Sequence, residues 1–264
     1  MSGTATIAWE SAANLPYDPA SIAFFNAANI TNSTQKSAVD TLVTSLKSNG
    51  LWNYANAIYP IVGGNATAHS YNLRNPSLYQ LTYNGTAATN SSTGMKGDGS
   101  TSYADTGLNP TNIYNGNGFA SLGIYLRTTQ LAATVSAIGA ISGATNYFQI
   151  YAYFSGNFFG QVDSSDISQA VSNTDSTGWF FASRIGATNS YLQQRAVQTT
   201  GFSGAMGLVN NNIYMMAQNN LGSAGFFTSN EIAFAWIGGG LTTSQGSTLY
   251  TIIQTYQTSL SRNV

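Results

Sequence analysis

NYFQIYAYFSGNFF, Asn146 to Phe159, alternates along its length: Tyr147, Gln149, Tyr151 and Tyr153 fall on one side of an extended chain, Phe148, Ile150, Ala152 and Phe154 on the other. Successive side chains of a strand point to opposite faces, so the stretch reads as a strand with a core face and a Tyr-rich outer face. The same style continues in both directions. From Ala57 to Trp236 the chain consists of short runs rich in Tyr, Phe, Ile, Val and Thr, punctuated by Gly and Asn, which is the pattern of a β-sandwich. Expected strands are Leu78 to Tyr83, Ser102 to Asp105, Phe119 to Arg127, Val135 to Ile141, Tyr147 to Phe154, Trp179 to Ile185, Ile213 to Ala217 and Ile232 to Ile237. Asn84-Gly85 and Asp98-Gly99 are turn signals between them.

Helical patterns flank this region. Asp18-Pro19 supplies an N-cap and a proline at the first helical position, predicting a short helix to about Ala28. Asn32-Ser-Thr-Gln35 has the form of a capping box, and Val39, Leu42, Val43 and Leu46 follow at i, i+3, i+4, i+7 before Gly50 closes the helix. Near the C-terminus Thr242 or Thr243 caps a helix whose buried face is Leu249, Ile252, Ile253 and Tyr256. The expected organisation is an extended N-terminal arm over 1–17, a helical attachment segment over 18–60, the sandwich over 61–240 and a C-terminal helix over 241–264 packed on it. In the arm Ile7, Trp9 and Leu15 are too irregularly spaced for an amphipathic helix. Their burial needs a surface, which makes the arm an expected assembly device.

Only eight basic and nine acidic residues occur among 264, with 43% hydrophobic and 12% aromatic content, against about 25% charged in ordinary domains. A formal net charge of −1 leaves little self-repulsion and favours association. Eight scattered cations cannot neutralise a phosphate backbone, which excludes nucleic acid as the expected partner. The longest apolar runs are of strand length, so membrane insertion is not expected. Met1 to Glu10 has no basic region followed by an apolar run, so no secretory leader is expected either. Cysteine is absent, which removes disulfides and thiolate metal sites.

Catalytic residues are sparse. A glycosidase needs two carboxylates flanking the bond, and the glutamates are Glu10 and Glu231 alone. Asp163-Ser-Ser-Asp166 reads as turn chemistry, with a calcium site as its rival. His69, the single histidine, reads as a strand-edge residue hydrogen-bonded to backbone. No catalytic residue, cofactor or metal is expected. Tyr147, Tyr151 and Tyr153 have two open readings: a subunit contact, or a stacking platform for sugar rings. The sequons at Asn29, Asn32, Asn65, Asn84 and Asn90 arise by chance in so Asn- and Thr-rich a chain.

Three segments carry a family resemblance. AVDTLVTSLKSNGLWNYANAIYPIVGG (Ala38 to Gly64) and EIAFAWIGGGLTTSQGSTLYTIIQTYQTSLSR (Glu231 to Arg262) resemble a family of tailed-bacteriophage virion proteins. GDGSTSYADTGLNP (Gly97 to Pro110) resembles the first hairpin of their concanavalin A-like, LamG-type domain. The resemblance implies a mainly β fold, a concanavalin A-like jelly roll, and a place in the virion. The expected function is therefore a non-enzymatic structural protein of a virus particle, a capsid decoration or a tail or fibre subunit. Its expected partners are copies of itself and other virion proteins. The alternatives are a receptor-recognition module that grips host surface glycan and a bacterial extracellular filament or adhesin subunit.

Overall fold

The computed structural model describes residues 17–264 apart from 87, 115–117, 132–133, 167, 187, 203 and 205–206. Ile7, Trp9 and Leu15 of the expected arm lie outside the described residues. The helices are α1 (Pro19–Ala28), α2 (Ser33–Ser48), α3 (Ala66–Ser70), α4 (Thr111–Tyr114) and α5 (Thr243–Ser259). The strands, in chain order, are β1 (Ala55–Tyr59), β2 (Thr82–Asn84), β3 (Thr89–Asn90), β4 (Met95–Lys96), β5 (Tyr103–Asp105), β6 (Phe119–Leu126), β7 (Ile138–Ser142), β8 (Asn146–Phe154) and β9 (Asn157–Ser164). They continue as β10 (Ala170–Ser172), β11 (Gly178–Ile185), β12 (Ser190–Gln194), β13 (Val197–Phe202), β14 (Tyr214–Met215), β15 (Gln218–Asn220), β16 (Ser223–Gly225) and β17 (Glu231–Gly238).

Two sheets face each other. Sheet A runs β13-β12-β11-β6-β17-β4-β3, with β1 also on β17, and sheet B runs β10-β9-β8-β7-β14-β5-β2, with β15 and β16 added at β7. Every pair is antiparallel except β15 with β7. The fold is mainly β, a jelly-roll-type sandwich with helices added, as expected for a concanavalin A-like domain. Between the sheets lies one core, with Leu122, Ile124 and Phe180 of sheet A against Phe148, Ile150, Phe158 and Val162 of sheet B. A second core lies on the opposite face of sheet A, where Trp179, Phe181, Phe234 and Trp236 meet Leu42, Leu46, Leu249 and Ile253 of the helices. The central strands of sheet A, β6, β11 and β17, are thus buried on both faces. That explains their unbroken apolar runs, since a strand with no solvent face has no reason to alternate.

The helices end as their caps dictate. Asn29, Gly50 and Ser261 adopt left-handed backbone (φ 51°, 70° and 54°). The residue after each donates its N–H five residues back, Ile30 to Phe25, Leu51 to Leu46 and Arg262 to Gln257, at 2.8–2.9 Å. This is the Schellman arrangement, and it turns Ile30, Leu51 and Arg262 into the interior. Asn32 caps α2 through Gln35 N, but Gln35 does not close the expected box: its Oε1 accepts from Gly63 N at 3.2 Å instead. The reciprocal box sits at α5, between Thr242 and Gln245.

The segment read as helical attachment also contributes β1, paired with β17 from Tyr59↔Ala235 to Ala55↔Gly238. Strands β3, β4, β9, β10, β12, β13, β15 and β16 lie outside the strands expected from the sequence. Arg262 is buried, and among the described residues it has no carboxylate partner. Its guanidinium donates to the carbonyls of Ile61 (2.6 Å), Ala233 (3.2 Å) and Pro60 (3.3 Å) and to Gln257 Oε1 (3.1 Å), and lies over the Tyr256 ring. Among the described residues no helix is long and apolar enough to cross a membrane.

Candidate functional site

Strands β8 and β9 form a hairpin through Ser155 and Gly156, both at positive φ (48° and 80°), as a two-residue type I′ turn requires. Their register slips between Tyr147 and Gln149 and again between Tyr151 and Phe154. Each irregularity resets the alternation of faces. Phe148, Ile150 and Ala152 keep the expected core face. Phe154 does not: it is 36% exposed and stands beside Tyr151, ring centroids 6.2 Å apart.

These rings wall a cleft of about 210 Å³ lined by Thr134, Gln149, Tyr151, Phe154, Phe159 and Phe226. The rings are tilted rather than coplanar, Tyr151 to Phe226 at 78° and 6.1 Å, Phe154 to Phe159 at 51° and 5.6 Å. Phe226 follows β16 with φ 53°, and its carbonyl accepts from Ser136 N at 2.8 Å, which pins that corner.

Behind the rings runs a file of carboxamides. Gln218 Nε2 donates to Gln149 Oε1, Gln149 Nε2 to Gln161 Oε1 at 2.8 Å, and Gln161 Nε2 to the Gln169 carbonyl at 3.2 Å. All four glutamines are buried. Burying an amide is costly unless it is bonded, and such a chain polarises cooperatively along its length. At its head the buried Gln218 Oε1 has no donor among the described residues. Burial raises the Tyr151 phenol well above its ordinary range, with hydrogen bonding to Gln218 offsetting part of the rise, so its ring carries no charge. No acid, base or histidine among the described residues lines the cleft. Among the described residues no group of three or more His, Cys, Asp or Glu side chains is placed to hold a metal ion.

Of the three tyrosines singled out in the sequence, Tyr151 lines the cleft. Tyr147 and Tyr153 are half-buried and do not; the Tyr147 hydroxyl donates to the Ala144 carbonyl at 3.3 Å. Gln149 was visible on the Tyr face of the alternation. Phe159 ends the aromatic run that opens the sequence reading, but the alternation gives it no face, and Phe226 carries no sequence signal, because the β15–β16 hairpin alone brings it there.

The remaining candidates have structural roles. Asp166 accepts from Ser168 N (2.8 Å) and Oγ (2.6 Å), which is turn chemistry. Asp163 is different, fully buried at a left-handed bulge (φ 50°). Burial raises its carboxyl pKa, with the Gly118 N–H and Arg184 pulling the other way. His69 lies in α3 rather than at a strand edge, and its Nδ1 meets the Asn90 side chain at 2.8 Å rather than backbone. Glu231 is held by Arg127 (2.9 Å) and Thr93 (2.5 Å). The sequon asparagines are structural: Asn32 and Asn65 cap helices, Asn29 takes the left-handed position, Asn90 holds His69 and Asn84 bonds the Thr82 carbonyl.

No family model matches the chain, and no curated protein matches it. Solved structures do. The sialidase of Trypanosoma rangeli in complex with sialic acid is similar at a TM-score of 0.52 and 9% identity, over 81% of this chain and 38% of the sialidase. Domain 4 of AbnA, a GH43 extracellular arabinanase from Geobacillus stearothermophilus, in complex with arabinotriose, gives 0.47 at 14% identity, over 75% of this chain and 98% of that domain. The binding domain of botulinum neurotoxin serotype D gives 0.47 at 10% identity, over 76% of this chain and 52% of that one. At these identities the likeness is one of fold.

Proposed function

We propose that the chain is a non-enzymatic binding module whose aromatic cleft on sheet B takes a neutral saccharide. The observation that supports this most directly is the lining itself: four aromatic rings and the Gln149 amide, with no charged group among the described residues. Aromatic faces match the apolar faces of sugar rings, and an amide beside them can bond hydroxyls. A volume of about 210 Å³ lies below the roughly 300–1,000 Å³ of pockets that enclose drug-sized ligands, so the cleft takes one ring rather than a chain. An acidic sugar such as a sialic acid would find no cation there. The test is a glycan array followed by calorimetry on the hits. Neutral glycans should bind, and Phe226→Ala, at a 38% exposed position, should remove binding while leaving the fold intact. Failure of every neutral glycan to bind, or binding that Tyr151→Ala and Phe226→Ala both leave unchanged, overturns the proposal.

A second role, as a structural subunit of a virus particle, is favoured by the scarcity of charge. Three ion pairs occur among the described residues, and a surface built from neutral polar groups associates without stranding unpaired charges. A protein inventory of purified particles tests it.

A further inference from the structure

Sheet edges expose unpaired N–H and C=O groups, and natural proteins blunt them with shortness, charge or proline. Among the described residues the other strands paired on one side only are short or covered: β3 has two residues, β2, β10 and β16 three each, and β1 bonds Asn72 and Leu73 through Ile58. The exception, β13, has six, VQTTGF, and contains neither charge nor proline. Among the described residues nothing pairs with its outer side. The strand is held rather than frayed, since Gln198 Nε2 donates to the Thr243 carbonyl of α5 at 2.7 Å and to Ser247 Oγ at 3.2 Å. Val197 at its start is 68% exposed. A bulge opposite Ser190 and Tyr191, with Gly201 at φ 89°, bends the far end. The straight, open portion is therefore residues 197–200. Arg195, just before it, is tied to Asp175 and so does not guard the edge.

We propose that two copies of the chain pair β13 with β13, antiparallel about a two-fold axis, so that sheet A continues across the dimer. In a two-fold contact residue i meets j of the partner and j meets i, so the strand pairs with its own sequence and residues near the axis lie close to their images. A charged edge would repel itself there, whereas Val197, Gln198, Thr199 and Thr200 pair among themselves at no electrostatic cost, and Thr–Thr pairs favour sheet pairing. The net charge of −1 adds no long-range opposition. This pairing stands independently of the cleft, and it would give each assembly two clefts.

The experiment is sedimentation of the full chain over a concentration series, with amide hydrogen exchange read at residues 197–202. The wild type should dimerise, and protection at 197–202 should rise with concentration. Thr199→Lys should weaken the dimer at least about tenfold by placing like charges across the axis, with an unchanged circular dichroism spectrum. Val197→Lys, at a position already open to solvent, keeps the test decisive if Thr199→Lys fails to fold. A wild type that stays monomeric throughout overturns the proposal, as does a dimer indifferent to both lysines. So does protection of 197–202 that persists on dilution and disappears when residues 1–16 are deleted, because the edge would then be covered by the chain's own arm.

Discussion

Replacing Arg262 tests how the C-terminal segment is locked to the fold. Among the described residues no carboxylate pairs with the buried guanidinium, and burial lowers its pKa while Tyr256 and Glu231 pull it back up. Removing the head group does not orphan all its acceptors. The Pro60 carbonyl keeps the Tyr256 hydroxyl at 2.8 Å, and the Ala233 carbonyl keeps Gln257 Nε2 at 3.4 Å. Ile61 O and Gln257 Oε1 lose the bonds at 2.6 and 3.1 Å. A buried acceptor left unsatisfied costs about 1–3 kcal/mol, so two of them cost roughly 2–6 kcal/mol, and relief of the guanidinium's own desolvation returns part of that. The expected net loss for Arg262→Met is about 3 kcal/mol, since Met refills the volume of the stem and isolates the polar term. Guanidinium denaturation at constant m-value measures it. In a chain of this size each kcal/mol moves the melting temperature by roughly 2–4 °C, so a fall of about 6–12 °C should accompany it. Ile61 itself, a β-branched residue at φ 48°, loses the group that holds its carbonyl. A loss below about 1 kcal/mol, or a gain, would refute the assignment of Arg262 as the lock.

Two further outcomes follow from buried titratable groups. Burial lowers the His69 pKa from 6.5 to about 4, with the Asn90 bond opposing and Arg262 reinforcing the shift; the unfolded chain therefore binds the proton first, and stability should fall as pH drops from 6.5 towards 4. Wild type should lose roughly 3 kcal/mol more than His69→Gln over that window, and equal losses would show that the ring is not held neutral. Asp163 has the opposite sign: its folded pKa is raised, so the folded state binds the proton more readily and the carboxyl's contribution is lost as pH climbs through the raised value. Asp163→Asn should accordingly be more stable than wild type at neutral pH by thermal melting, and a destabilised variant would show that burial does not outweigh the favourable pull of Gly118 and Arg184 on the carboxylate.

What could be read from the chain was whatever local chemistry controls. The caps at Asp18, Asn32 and Thr242 and the stripe Val39, Leu42, Val43, Leu46 placed three helices, because capping and 3.6-residue periodicity are short-range signals. The alternation from Tyr147 to Phe154 placed β8 but missed its bulges, and so put Phe154 on the wrong face. Nothing near Tyr151 in sequence announces Phe226; the cleft exists only once β15 and β16 have folded back against β7. The glutamine file was invisible for a related reason. Gln149, Gln161 and Gln218 look like ordinary surface residues until their strands are neighbours. His69 was misplaced because Asn65 reads equally well as a sequon or as the N-cap it is.

The double burial of the central strands of sheet A bears on how this module can be transplanted or evolve. In a two-layer sandwich every second residue of a strand faces water and drifts freely. Strands β6, β11 and β17 have no such permissive register, since Trp179 and Phe181 look one way and Phe180 and Ala182 the other, all into packed interior. A saturation scan should find intolerance at consecutive positions in these three strands, and tolerance at the exposed positions of outer strands such as β13. The sandwich also cannot be lifted out alone. Cut free of α1, α2 and α5, it would present Trp179, Phe181, Phe234 and Trp236 to solvent as one contiguous greasy face, so any graft onto another protein has to carry both ends of the chain with it.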